Sequence, residues 1–532
     1  MKKTFLRSAA IAMAVTGASA AHAVHVNHDG LGQVLLYPYY TVQNNFVTAI
    51  HVVNTTDHAK AVKVRFLEGK NSQEVLDFNL YLSPYDVWTG SVVRDATNGA
   101  KLVTADTSCT VPAIPAAGVP FKNTAYMGDP LANDPNRRAE GYVEIIEMAE
   151  LTDSTQIAAV THVNGVPKSC ATIVAADFAG SVGVSAPGGG LFGSGHLVSV
   201  DGGVRTSFDP VALENFSETP LWYKSGGILP TLGQVNPARG EILDGAEIVR
   251  FFPLIGRPAV DAVSAVLTHS SLSNEYAVDA GRLSQTDWIV TFPTKRFYVN
   301  KTNWGPLGLI PTSLLPSPFQ SWWTAEAPNH SPVLQSCHKV HFQVLDREEF
   351  DPESLGSFSP PPPVALCNEV NTITLHQSAV DSEDAKLFGA QSTAATLAVN
   401  DLEAGWMRMT FGVDPDFPLF PPVYGALYYY DTFYDTFDPD GFPIPNGRVN
   451  SVNGLPAIGF SASRNVNTVD VQIGGLNVYS AVMGSNAHKG EKAFEYAHTF
   501  DSIEALGDAA KELLGPLLSL DLASPGMPII NQ

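Results

Sequence analysis

Cysteine is scarce in this chain of 532 residues: there are four, at positions 109, 170, 337 and 367. None belongs to a close C-x-x-C pair, the spacing that a structural zinc site favours. An even, low number suits two disulfides in an oxidising compartment. Three pairings are open, and the local one, Cys109–Cys170 with Cys337–Cys367, is expected. The chain-entropy model assigns loops of such length roughly 4 kcal/mol each, less any strain.

Positive charge is also sparse. Thirty-one Lys and Arg stand against 53 Asp and Glu, a formal charge of −22. Such a surface repels phosphate backbones and anionic lipid, so neither nucleic-acid nor membrane-surface binding is expected, and no stable membrane insertion is expected either. Charged residues make up only 16% of the chain and hydrophobic ones 45%, which excludes global disorder and allows a sizeable core.

Complete catalytic motifs are missing. GFSAS (459–463) and GVSAP (183–187) each lack the closing glycine of a nucleophile elbow. GSGH (193–196) sets Ser194 near His196 without the strand–elbow–helix context. No H-E-x-x-H and no G-x-x-x-x-G-K-[ST] occurs. Glu144, Glu147 and Glu150 recur at every third position of GYVEIIEMAEL. On a strand Glu144 and Glu147 would face opposite sides, on a helix all three would share one; a solvent-facing or edge segment is expected. No catalytic residue is assigned.

The chain opens MKKTFLRSAAIAMAVTGASAAHAVHVNHDG. Lys2, Lys3 and Arg7, the apolar stretch from Ala9 to Ala18 and the A-x-A at 21–23 form the pattern of a secretory signal over 1–23. The stretch is too short to persist as an anchor. Removing its three basic residues takes the formal charge from −22 to −25. Export to the periplasm, cell surface or medium is the expectation. His25, His28 and Asp29 follow directly; their spacing suits a shared metal or, more simply, a polar leader before the first strand.

Period-two alternation recurs, as in VKVRFLE (62–68), VLDFNLYL (75–82), KVHFQVL (339–345), MRMTFGV (407–413) and VDVQI (469–473). It marks half-buried antiparallel strands. With 44 glycines and 38 prolines between such runs, an all-β, mostly antiparallel fold is expected. Residues 24–105 suit an immunoglobulin-like β-sandwich with strands near 32–37, 46–54, 61–68, 74–82 and 86–93, the turn at 82–86 delivering Trp88 into the last. Further β-rich regions, each with a disulfide, are expected over 106–330 and 331–500. A helix is expected within 501–532, where Ile503, Leu506, Ala510, Leu513 and Leu514 form an apolar stripe.

Two segments are candidate binding surfaces. Trp322 and Trp323 are adjacent, so on a strand one faces the core and the other a domain contact or a stacked sugar. TDWIVTFPTKRFYVNKTNW (286–304) gathers Lys295, Arg296 and Lys301 among aromatics as a local contact patch. LYYYDTFYDTFDPDGF (427–442) mixes aromatics with Asp431, Asp435, Asp438 and Asp440. An EF-hand alignment on Asp438, Asp440 and Gly441 puts Thr436 first and Gly447 twelfth, so two ligands are missing. An irregular calcium site on the four aspartates is one reading. The other is a strand followed by a tight turn, with Tyr434 and its aromatic neighbours as anchors or a stacking surface. No other cofactor is indicated.

Residues 35–90 and TDWIVTFPTKRFYV together resemble a group of exported proteobacterial proteins of unassigned role. The resemblance covers only part of the chain and implies an envelope or secreted location and a β-rich fold. Residues 46–93 are also similar to immunoglobulin-like modules of bacterial surface assembly and adhesion. The expectation is a non-enzymatic envelope or extracellular protein that binds other surface proteins or a polymer through β-sandwich surfaces. The alternative is a secreted hydrolase of polysaccharide or ester substrates. An outer-membrane barrel fits poorly with the acidic, Pro-dense sequence and its PGMPIINQ ending.

Overall fold

The structure is a computed structural model that describes residues 23–124, 133–199, 201–245, 247–253, 257–279, 281, 283–299, 319, 337–348, 364–378, 380–399, 402–411, 426–437, 443–473 and 476–496. Expectations for the signal segment (1–22), Trp322, Trp323, Lys301, Asp438, Asp440 and the helix within 501–520 lie outside these residues.

The fold is all-β and mainly antiparallel, as the alternation requires. The expected early strands appear at Val34–Thr41, Phe46–Asn54, Lys60–Glu68, Glu74–Leu82 and Val87–Asp95. In Phe46–Asn54 every second residue, from Phe46 to Asn54, is buried, while Val47, Ala49, His51 and Val53 are half-exposed. Trp88 is completely buried just after the turn at Ser83–Asp86.

Four sheets hold most of the described strands. Sheet A runs in the order His25–Val26, Val211–Glu214, Val34–Thr41, Glu140–Leu151, Lys60–Glu68, Glu74–Leu82, Cys109–Val111, with Val184–Ser185 on the end of Glu140–Leu151. Sheet B runs Val204–Phe208, Leu191–Ser199, Phe46–Asn54, Val87–Asp95, Gly99–Val103, Val119–Pro120. Their facing sides share a core with Val64, Phe66 and Ile145 from A and Ile50, Trp88 and Leu197 from B.

Sheet C runs Ala394–Ala398, Val370–His376, Ser284–Thr291, Ile458–Ile473, Leu476–Ala487. Sheet D runs Val364–Leu366, His338–Asp346, Ala404–Phe411, Ser271–Ala277, Lys489–Glu491. Trp288, Val290 and Ile373 of C meet Leu272, Phe342 and Met409 of D in a second core. Sheet C is buried on its other face as well, because Ile289, Phe460 and Ala462 join the core of the first pair of sheets. That suits the apolar run Trp288, Ile289 and Val290 within TDWIVT, since a strand covered on both faces gains nothing from a polar side. Phe208 and Phe460 stack across the junction with ring centroids 4.8 Å apart, and Thr291 Oγ1 donates to the Pro38 carbonyl at 2.6 Å.

Both disulfides form with the local pairing, Cys109–Cys170 and Cys337–Cys367. The first ties an edge strand of sheet A to the helix Cys170–Ala179, which ends at Gly180 in the left-handed conformation. The aspartate-rich segment is strand from Ala426 to Phe437, paired with Pro443–Asn453. Asp431, Tyr434 and Asp435 are therefore strand positions, with Asp431 opposite Arg448 and a register shift between Phe433 and Thr436.

Candidate functional site

GYVEIIEMAEL corrects the expectation of a solvent-facing or edge segment. It is a strand at the centre of sheet A, between Val34–Thr41 and Lys60–Glu68, and Glu140, Glu144 and Glu147 are completely buried. Alternation sends Glu144 and Glu147 to opposite faces. Arg65 Nη1 donates to Glu144 at 2.8 Å, and Arg296 Nη2 donates to both of its oxygens at 3.1 Å. Lys60 Nζ donates to Glu147 at 2.7 Å and to Glu150 at 3.1 Å, and the amides of Gly188 and Gly189 also reach Glu147. Burial nevertheless lifts the Glu147 carboxyl to about 7. Glu140 accepts from Thr393 Oγ1 and from the Gln391 amide at 2.8 Å, across the junction between the two cores.

These carboxylates are thus engaged in structural pairs. The signal for them lay in VKVRFLE, whose Lys63 and Arg65 read as the polar side of a half-buried strand. Both are buried, Lys63 beside Asp77 and Arg65 between Glu74 and Glu144. The polar face of one strand meets the polar face of its neighbour in register, and Arg65 lies directly opposite Glu144.

TDWIVTFPTKRFYV needs a similar correction. Lys295 and Arg296 are internal and form no contact patch. Lys295 Nζ donates to the carbonyls of Cys367 and Asn368 at 2.9 and 3.2 Å, and burial pushes its pKa down to about 8. Nearby Glu369 is buried with neither carboxylate oxygen hydrogen-bonded among the described residues, and burial lifts it to about 8.

Ser194 lies on the outer side of sheet B, with Oγ 3.1 Å from His196 Nε2 and 3.3 Å from His51 Nε2. Its strand, Leu191–Ser199, is paired on both sides, with Phe46–Asn54 and with Val204–Phe208. The neighbouring amides therefore serve the ladders, which leaves them unsuited to the oxyanion stabilisation that acyl transfer needs.

A cleft of about 1030 Å³ opens at the junction of the N-terminal segment, the hairpin Gly240–Asp244/Glu247–Phe251 and the edge of sheet D. Its floor is apolar, with Ile242, Val266, Leu272 and Ile458. Its polar lining includes His25, His28, Asp29 and Glu241, together with Lys489 and Glu491. Leu243 and Ile248, directly paired across the hairpin, stand on the lip, 54% and 59% exposed. His25, His28 and Asp29, whose spacing suggested a metal, thus line a cleft wall. Among the described residues no group of three or more His, Cys, Asp and Glu is placed to hold a metal ion.

Two further histidines line the cleft as neutral bases. His488 Nε2–H donates to the Ile289 carbonyl at 2.9 Å, Nδ1 accepts from Asn274, and burial lowers its pKa to about 4. His269 is also pushed well down by burial, its Nδ1 turned towards Gly490, where a Cβ would come within 2.0 Å. Lys492 Nζ donates to the carbonyls of Val266 and Thr268 at 2.9 and 2.6 Å, and burial lowers it to about 7. No protein-family model, curated protein or solved structure matches this chain.

Proposed function

We propose that the chain is an exported, non-enzymatic binding protein of the bacterial envelope or extracellular space, and that its cleft receives an extended segment of another surface protein. The observation that carries this reading is the makeup of the cleft wall. Lys489–Glu491 is the terminal strand of sheet D, and Glu247–Phe251 is paired only with Gly240–Asp244 among the described strands. Strand edges offer backbone donors and acceptors to an added strand, and adjacent apolar ground selects its alternate side chains. The exposed Leu243–Ile248 pair supplies such ground. The signal-like start and the two disulfides support export. No described helix is long and apolar enough to cross a membrane, which leaves β-barrels unaddressed.

The test is fractionation of producing cells. The wild type is expected with the envelope, held by a protein partner and released by protease treatment of the surface. Leu243→Glu with Ile248→Glu is expected in the soluble fraction with an unchanged circular dichroism spectrum. An unchanged distribution of the double variant, or a wild type that is monomeric and free in the medium, would overturn the reading.

A further inference from the structure

His51 and His196 sit on the outer face of sheet B and share no lining residue with the cleft. Ser194 lies directly opposite His51 across the ladder, so His51 and His196 are diagonal neighbours on one face. Their rings are near-parallel, with a 24° interplanar angle and centroids 5.6 Å apart. Ser194 Oγ stands between them, in reach of His196 Nε2 at 3.1 Å and of both His51 nitrogens at 3.3 and 3.5 Å.

Several features fix this arrangement. Gly193 and Gly195 point inward beneath the cluster, and a Cβ at either would strike Tyr37 Oη or the Phe208 ring. Tyr37 Oη donates to the His51 carbonyl at 2.6 Å and holds that strand's backbone from the core side. Both imidazoles are half-exposed, so they can turn about their side-chain torsions without disturbing the core. Burial lowers both histidines, the neighbouring ring further lowers His51 and Arg205 further lowers His196, while Asp209 acts on both in the opposite sense.

The geometry points to a site for one divalent first-row transition-metal ion, copper or zinc, held by His51 and His196 and completed by Ser194 Oγ or water. Imidazole nitrogens suit these ions at about 2.0–2.1 Å, and copper(II) binds more tightly than zinc(II) in such nitrogen sites. Ser194 Oγ lies within 3.5 Å of a nitrogen on each ring, so turning the two half-exposed rings about their side-chain torsions can bring one nitrogen from each onto a shared ion beside the hydroxyl. The Asp209 carboxylate offsets part of the added charge. Two protein ligands leave coordination positions open, so affinity is expected to be modest.

The mature protein is titrated with copper(II) and, separately, with zinc(II) against a chromophoric competitor, and the copper complex is studied by electron paramagnetic resonance. The expected results are tighter copper than zinc binding and nitrogen hyperfine structure from two imidazoles. Loss of one bound ion is expected in His51→Ala with His196→Ala. Each single variant should weaken binding at least tenfold, and His25→Ala with His28→Ala should leave this ion in place. An unchanged stoichiometry and spectrum in the His51/His196 double variant, with circular dichroism confirming its fold, overturns the site. So does a wild type that takes up neither ion, which would leave the three side chains as a hydrogen-bonded cluster only.

Discussion

Arg296 donates through Nη2 to both carboxylate oxygens of Glu144, at 3.1 Å each, and so joins the segment that follows a strand of sheet C to the central strand of sheet A. Glu144 also holds Arg65, which makes it the shared anion of two buried cations. Removing one member of such a cluster leaves an uncompensated buried charge. Glu144→Ala is therefore expected to lower stability by about 3–5 kcal/mol in denaturant unfolding. A double-mutant cycle of Glu144→Ala with Arg296→Ala is expected to give a coupling of about 0.5–3 kcal/mol. Additive effects would show that the pair does not act across the junction.

Glu369 gives the protein a pH-dependent weakness. Its folded pKa is raised to about 8, above the ordinary value of 4.5, because burial disfavours the charged form. Between those two values the folded state holds a proton that the unfolded state has released, so this group's contribution falls as pH rises. Glu369→Gln stays neutral. Its stability relative to the wild type is expected to increase by a few kcal/mol from pH 5 to pH 8, measured by chemical unfolding at each pH. A constant difference would place the carboxylate in a compensated setting.

His488 works in the opposite direction. Burial lowers it from 6.5 to about 4, so below pH 6.5 the unfolded state binds a proton that the folded state refuses. Its contribution is intact above pH 6.5 and is lost as pH falls towards 4. His488→Gln is expected to flatten the acid side of the stability profile over that window. The comparison of melting temperatures between pH 4 and 7 checks this.

Gly193 is held by close approach. A Cβ there would lie 2.1 Å from Tyr37 Oη and 2.2 Å from the His51 carbonyl oxygen, on the path of their hydrogen bond. Gly193→Ala is expected to cost about 1–3 kcal/mol by overpacking. Tyr37→Phe in the same chain should recover part of that loss, because it removes the nearer of the two atoms.

The disulfide between Cys109 and Cys170 closes a loop with a sequence separation of 61, against 30 for Cys337–Cys367. Replacing Cys109 and Cys170 by alanine is expected to lower stability by about 2–5 kcal/mol in guanidinium unfolding. The longer loop should matter slightly more than the shorter one, in line with loop-closure entropy.

Much of the strand content was legible because its signal is local. Phe46–Asn54 alternates in the sequence and in burial, and the turn before Trp88 delivers that side chain to the core as its residues suggest. Legibility stopped where a second face became buried. Lys63 and Arg65 look like solvent residues in VKVRFLE, yet their counter-charges arrive from Glu74–Leu82 and Glu140–Leu151. Lys295 and Arg296 look like a surface patch, yet their partners are the Cys367 and Asn368 carbonyls and Glu144. Ser194 and His196 are neighbours in sequence, while His51 joins them from 143 residues away through one antiparallel ladder.

By itself the sequence determined the strand periodicity, the turns and the small set of disulfide pairings, because side-chain alternation and loop chemistry act over a few residues. Which strands lie side by side, and in what register, was decided only by the tertiary structure. Register sets which charge meets which and which histidines converge, and it depends on both faces of every sheet finding cover at once.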